Sequence, residues 1–256
     1  MVRFRAAEEG GMDRLKEAAE IIRKSGNMIA LTGAGVSVES GIPDFRSAGG
    51  LWDKFDPAIY ASIQSFNSRP ERVWDMIFEM IELTAAAKPN NAHYALAELE
   101  SMKLLKALIT QNIDNLHQEA GSRNVIEYHG NTSRLECLNC GNKYEAADFD
   151  ISGKIIPRCR SCGTILKPAV IFFGEMIPHD ALQQSALYAG KADVVLVAGT
   201  SAVVYPAAAI PQQAKRNGAK IIEFNIEETE LTRRGTDILI LGSAGKTLPQ
   251  LVELLK

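Results

Sequence analysis

Four cysteines fall in two C-x-x-C pairs, Cys137 with Cys140 and Cys159 with Cys162, separated by residues 141–158. This is the spacing at which four thiolates close a tetrahedron around Zn²⁺. Gly141 and Gly163 directly follow the pairs, as tight knuckles favour. A closed four-thiolate set leaves no position for substrate, so the metal implied is structural. Two disulfides or a redox pair are the alternatives, and they fit less well with duplicated knuckles and an N-terminus that has no secretory signal.

A second chemistry-bearing stretch is Gly33-Ala34-Gly35-Val36-Ser37, which follows an apolar run ending at Thr32. Glycines at a strand end let backbone amides approach a phosphate, so the turn is a candidate pyrophosphate site. The G-x-G-x-x-G fingerprint is incomplete, because Val38 stands where its third glycine belongs and the next glycine is Gly41. A purely structural turn remains open. Directly after it, Gly41-Ile42-Pro43-Asp44-Phe45-Arg46 offers a carboxylate, a ring and a guanidinium in succession. The alternative there is a loop anchored by Phe45, with Arg46 paired locally to Asp44.

The third cluster is Gln111-Asn112-Ile113-Asp114-Asn115, at the carboxyl end of another apolar run, where open α/β sheets bind ligands. Its amides and carboxylate could read nicotinamide and ribose, although one of Asn112, Asp114 and Asn115 is expected to cap the following helix. Of the four histidines, His93 and His117 lie in helical patterns and His179 follows Pro178 at a helix start. His129, beside Gly130, sits in a loop and is the best general base by residue type. A lone histidine of purely structural role is the competing reading.

The elements that must position these groups alternate. Buried strands are expected at 28–32, 107–110, 193–198, 220–224 and 237–241, and helices at 15–23, 73–87, 92–102, 181–189, 207–216 and 248–255. Such alternation predicts a doubly wound parallel sheet with helices on both faces. Residues 46–89 and 134–168 break the rhythm and read as insertions. Residues 1–11 read as a loose extension, with the helical pattern opening at Met12.

The 256 residues, 46% hydrophobic and 23% charged, suit a globular protein with a substantial core. A formal net charge of −3 provides no global basic field, so direct nucleic-acid binding is not expected. The apolar runs fall far short of the roughly 20 residues needed to cross a bilayer, and with no signal sequence the expected location is the cytoplasm.

Taken in order, the glycine turn, Gly41-Ile42-Pro43-Asp44-Phe45-Arg46, Gln111-Asn112-Ile113-Asp114, His129-Gly130, the cysteines, Phe173-Gly174-Glu175 and Gly199-Thr200-Ser201 resemble the sirtuin family over nearly the whole chain. The resemblance implies a single catalytic domain. Its Rossmann-like part would span about 12–45, 90–133 and 169–256, with a smaller lobe formed by a helical insertion (about 46–89) and a zinc ribbon (about 134–168). It implies NAD as a consumed co-substrate, one structural zinc and removal of acyl groups from lysine in a protein or peptide. Gly33, Ala34, Gly35, Val38, Phe45 and Arg46 would line the cofactor loop. Gln111, Asn112, Ile113 and Asp114 would surround the nicotinamide end, while Gly199, Thr200, Ser201, Asn225 and Ala244 would face the adenosine half. His129 would be the catalytic base, with Asn112 and Asp114 assisting. Val170, Phe172, Phe173, Gly174 and Glu175 would receive the peptide by strand addition. Relatives that prefer acidic acyl groups carry a Tyr-x-x-Arg pair just after a Val-Trp. Here Val73-Trp74 is followed by Ile77 and Met80, which implies an apolar acyl pocket.

Three rivals stand beside this reading. A zinc-containing dehydrogenase would need ligands for a catalytic metal beyond the four ribbon cysteines. A ribbon used only for macromolecular interaction would leave His129, Asp114 and Arg46 without a task. Mono-ADP-ribosyl transfer to protein would use the same NAD site.

Overall fold

The computed structural model describes the backbone of residues 2–256, and side chains from residue 10 onward except that of Ser152. Its strands are β1 (Met28–Thr32), β2 (Leu105–Thr110), β3 (Val125–Glu127), β4 (Gly130–Glu136), β5 (Lys143–Glu145), β6 (Lys167–Val170), β7 (Val194–Ala198), β8 (Lys220–Asn225) and β9 (Ile238–Leu241). Six form one parallel sheet in the order β3-β2-β1-β7-β8-β9, and three form a small antiparallel sheet, β5-β4-β6.

The large sheet is parallel because helices return the chain between its strands, and it is buried on both faces by them. β1 and β7 are buried at every position. Alternation along β1 divides the core: Met28 and Ala30 join Leu96, Leu108, Leu196 and Leu248 on one face, while Ile29 and Leu31 join Ile109, Val195, Val197 and Ile221 on the other. Each fully buried Leu or Ile contributes on the order of 1.5–3 kcal/mol by leaving water. The chain reverses its winding between β1 and β7. Their carboxyl ends, with those of β2 and β8, form the crevice in which such sheets bind ligands.

The helices Asn91–Ser101, His179–Lys191, Ala209–Arg216 and Ala244–Leu255 lie near the expected spans. The first helix differs, since Val2–Arg23 is continuous through Gly10 and Gly11 where a loose extension was expected. Two adjacent glycines cost a helix about 1 kcal/mol each, and that is why the local signal placed its start after them. Met1 lies outside the described residues.

Residues between β1 and β2 build the helices Leu51–Lys54, Pro57–Tyr60, Ile63–Ser68 and Pro70–Ala86. The last of these packs Val73, Trp74, Ile77 and Phe78 against Leu135, Cys137, Cys159 and Leu166 of the cysteine-bearing segment and against Phe172 just beyond it. Trp74 is fully buried there and donates its indole N–H to the Leu166 carbonyl at 2.9 Å. The two interruptions in the sequence rhythm therefore share one core.

Candidate active site and metal centre

The two knuckles fold alike. Gly141 N–H donates to Cys137 O and Gly163 N–H to Cys159 O, both at 2.9 Å. Cys137 Sγ lies 3.4 Å from Cys162 Sγ, and Cys140 Sγ 3.5 Å from Cys159 Sγ. All four sulfurs fall within 4.8 Å of one another, and all four cysteines are free thiols. A tetrahedron with Zn–S bonds of about 2.3 Å has S···S edges of about 3.8 Å, so the donor set fits one zinc ion and excludes the paired-disulfide alternative.

At the carboxyl end of β1 the glycine turn is built for close packing. Gly33 N–H donates to Ala198 O at 3.1 Å and Gly35 N–H to Gly199 O at 2.8 Å. A Cβ on Gly35 would lie 2.8 Å from the Gly199 backbone. These two amides are therefore not held out toward a phosphate, as the sequence suggested; they join the β1 and β7 loops. The turn is also clamped from the far side of the inserted helices. Asn90, the N-cap of Asn91–Ser101, donates to Val36 O at 2.8 Å and to Ser40 Oγ at 2.9 Å.

Under the turn lies a polar network. Ser37 Oγ donates to Asp114 Oδ2 at 2.7 Å and accepts from Asn112 Nδ2 at 3.1 Å. His93 Nε2 faces the same hydroxyl at 3.4 Å, and His93 Nδ1 accepts the Asn90 N–H at 3.2 Å. Because the Ser37 proton goes to Asp114, His93 must present N–H at Nε2, which fixes its neutral tautomer. Burial pushes the His93 pKa down to about 4, against an opposing pull from Asp114. His117 packs against His93 with ring centroids 4.8 Å apart and meets Thr32 Oγ1 at 2.9 Å. Its pKa falls well below the ordinary value, through burial and the neighbouring His93.

Of the three residues expected to compete for capping, Asp114 caps: its Oδ1 accepts the Leu116 N–H at 3.0 Å. Asn115 supplies the left-handed turn at φ 65°. Gln111 is a hub, donating Nε2–H to Thr200 Oγ1 at 3.1 Å and to Thr32 O at 3.3 Å. Its carbonyl faces His129 Nδ1 at 3.2 Å. That contact assigns the Nδ1 proton to the carbonyl side and leaves Nε2 as the basic nitrogen. Burial lowers the His129 pKa, and the Gln111 carbonyl partly offsets this. Asn225 at the end of β8 donates to Thr200 O at 3.0 Å, and Ile113 O accepts from Thr132 Oγ1 at 3.0 Å.

The remaining predicted residues are placed as follows. Asp44 is the staple of its loop, accepting from the backbone N–H groups of Arg46 (2.9 Å) and Ser47 (2.7 Å). Burial opposes ionisation there, but these bonds prevail and hold its pKa below the ordinary value. Phe45 packs at a tilt against Trp52 with ring centroids 4.9 Å apart, and Trp52 lies 6.3 Å from Phe173, giving an aromatic row from the loop after Gly41 to residues 170–175. Arg46, Val38 and Ser201 are exposed, and Ala34 is half-buried. Ala244 opens its helix with its methyl group in the core, so only its backbone can face a ligand.

In the expected peptide segment, Val170 and Phe172 are buried and Phe173 is 46% exposed. Its amides are largely committed: Ile171 to His129 O (2.9 Å), Phe172 to Glu175 Oε2 (2.7 Å), Phe173 to Ala61 O (2.8 Å) and Glu175 to Phe172 O (3.0 Å). Among the described residues the Gly174 amide has no partner. Strand addition here thus has fewer free donors than an open sheet edge would give.

Sequence reasoning missed Trp52, Thr32, the buried pair His93 and His117, and Lys167. Trp52, a ring two residues after Gly49-Gly50, was the one local signal available. The others matter through partners distant in sequence. A separate cavity of about 280 Å³ near Lys215, Arg216 and Arg234 lies by Ile221, near the amino end of β8, away from this crevice. Lys215 there pairs with Asp237 and Arg234 with Glu230.

Comparison with known proteins agrees with this geometry. The model of the Sir2 family matches residues 33–206. The NAD-dependent protein deacylase 2 of Archaeoglobus fulgidus is 47% identical over 95% of this chain and 97% of its own. Among solved structures, Sir2Af2 bound to a myristoylated histone peptide superposes with a TM-score of 0.82 at 42% identity, covering 95% of this chain and 97% of that one. A Sir2 variant with a deacetylated p53 peptide and 3′-O-acetyl ADP ribose gives 0.88 at 37% identity, covering 93% and 97%.

Proposed function

Because this chain belongs to the Sir2 family, we propose that its crevice binds NAD and an acyl-lysine peptide and transfers the acyl group to ADP-ribose, releasing nicotinamide and free lysine. The observation that carries this reading is the hydrogen bond between His129 Nδ1 and the Gln111 carbonyl. It places the ring proton on Nδ1 and leaves Nε2 as the basic nitrogen at the edge where the β1, β2 and β7 loops converge, while burial favours the neutral ring.

NAD is consumed as a substrate. The residues available to hold it are Ala34, Val38, Phe45 and Arg46 on the β1 loop, Gln111, Asn112, Ile113 and Asp114 after β2, and Gly199, Thr200, Ser201, Asn225 and the Ala244 backbone across the switch point. Gly33 and Gly35 shape the turn. Positive charge develops on the ribose as the acyl oxygen attacks its carbon and nicotinamide leaves. A dry site with the Asp114 carboxylate fixed by Ser37 favours that step. His129 then accepts a proton from a ribose hydroxyl, which attacks the acyl carbon, and water completes release.

The acyl chain meets apolar surface. Met80 lines a narrow gap of about 30 Å³ with Ile42, Pro43, Phe45, Leu51, Leu83 and Thr84, and Ile77 is buried against the ribbon. Neither position offers a cation to an acidic acyl group, so acetyl and longer aliphatic groups fit better than succinyl. Phe173, Gly174 and Glu175 form the peptide's floor, with Val170 and Phe172 as its buried support. Four thiols held as a set for zinc suit a reducing compartment, and we assign the cytoplasm. The chain's acidic balance suits a protein substrate contacted locally better than nucleic acid.

Nicotinamide release measured with and without an acetyl-lysine peptide tests the reading. Release that depends on the peptide and matches the loss of acetyl groups is expected. NAD cleavage that leaves every acetyl group in place and labels protein with ADP-ribose would instead establish transferase activity.

A further inference from the structure

We propose that Lys167 is the positioning residue of the peptide groove, holding residues 170–175 from the first position of β6 in the shape that receives the acyl-lysine strand. The inference rests on the assignment of those residues to the peptide. Lysine is almost never fully buried unless it is paired, yet the Lys167 side chain is 0% exposed. Its Nζ lies 3.0 Å from Glu136 Oε1 and 3.2 Å from Glu175 Oε2. It donates to Val170 O at 2.7 Å and to Pro168 O at 3.2 Å, and it sits 5.0 Å from the centre of the Phe172 ring.

A lysine that merely joined β4 to β6 would need only Glu136, which immediately precedes Cys137, since those strands already pair through their backbones. Three of the five contacts go instead to residues 170–175, two of them past the end of β6. The carboxylate oxygen of Glu175 that faces Lys167 also accepts the Phe172 N–H at 2.7 Å, and Glu175 N–H returns to Phe172 O at 3.0 Å. One ammonium group thereby fixes the Val170 carbonyl, the Phe172 ring and the carboxylate that closes the Phe172–Glu175 turn. Phe173, at the tip of that turn, is left exposed beside Trp52. Through Glu136, next to Cys137, the same ammonium group also contacts the first zinc knuckle's strand, so it touches ribbon and groove at once.

The experiment is steady-state kinetics on the zinc-loaded full chain, with acetyl-peptide and NAD varied separately, for Lys167→Met, Lys167→Arg and Glu136→Gln. Lys167→Met is expected to raise the peptide KM at least tenfold, with kcat at saturating peptide and the NAD KM within about twofold of wild type. Glu136→Gln, which spares the contacts to residues 170–175, should change the peptide KM less than threefold. Should Lys167→Met fail to fold, Lys167→Arg keeps the charge but spreads its N–H groups over a planar fork, and a severalfold rise in peptide KM is expected. An unchanged peptide KM in either folded lysine variant overturns the proposal, as does a Glu136→Gln effect equal to that of Lys167→Met. If wild type shows no peptide-dependent turnover, the deacylase reading fails by itself. Hydrogen exchange at the Phe172 amide then decides the clamp: faster in the folded lysine variant supports it, and unchanged overturns it.

Discussion

His129 Nδ1 lies 3.2 Å from the carbonyl oxygen of Gln111, the residue whose side chain ties the β1 and β7 loops together. The proposed base is thus oriented by the hub of the crevice. Burial sets its pKa below the ordinary 6.5, so Nε2 stays available at neutral pH. Deacylation should hold level above pH 6.5 and fall only below it, as the imidazole gains its proton. A pH–rate profile with its acidic limb centred above 7 would contradict this assignment.

Ser37→Ala removes the hydroxyl that accepts from Asn112 and donates to Asp114. One lost charge-assisted bond is worth about 1.5–3 kcal/mol, so kcat/KM for NAD should fall at least tenfold. Initial rates across an NAD titration give the value, and a loss under twofold would remove the network from the catalytic account.

Stability should also respond to acid through the buried histidines. His93 is depressed from 6.5 to about 4 by burial, so the folded state binds fewer protons than the unfolded chain between those values. Stability is then fully present above pH 6.5 and declines as pH falls toward 4, by on the order of 3 kcal/mol for this group. Thermal melts over that window should show a steady drop in Tm. A flat Tm from pH 7 to 4.5 would argue against a neutral His93.

Chelating the zinc should loosen the ribbon core and with it the site of Trp74, whose indole bonds Leu166 O. The expected signature is one zinc per chain before treatment. Afterwards, Trp fluorescence should shift to the red and peptide turnover should be lost, with ADP-ribose binding retained. Full turnover in a metal-free sample would contradict a structural role for the four-cysteine set.

Gly130 sits at φ 75°, and a Cβ there would come 1.9 Å from the Ala169 carbonyl. Gly130→Ala must therefore part β4 from β6 beside His129. A large drop in Tm with loss of activity is expected; a melt unchanged within 1 °C would show that the strands pair differently.

Succinyl-lysine peptide should turn over at least tenfold more slowly than the acetyl peptide, since Ile77 and Met80 offer no cation. Comparable rates would remove the apolar-pocket argument.

What the sequence revealed and what it hid follow from range. The cysteine knuckles are read locally, since each pair spans four residues, and the apolar strands announce themselves by composition. Ser37 acquires its meaning from Asp114, 77 positions away, and although Gln111 stood out in a local polar cluster, its tie to Thr200, 89 positions away, left no local trace. Lys167 read as an ordinary charged residue because its burial is created by β4, by Phe172 and by Glu175 together. In the glycine turn, small residues allow two loops to touch, and sequence alone does not distinguish contact with a loop from contact with a phosphate.

The central claim is that one site couples NAD cleavage to removal of an acyl group. Mass spectrometry of a reaction of the full chain with NAD and an acetyl-lysine peptide, beside His129→Ala, tests it most directly. Equal amounts of nicotinamide, deacetylated peptide and acetyl-ADP-ribose from wild type, with no acetyl-ADP-ribose from the variant, are the predicted result. Free acetate in place of acetyl-ADP-ribose, or full activity in His129→Ala, would contradict the account.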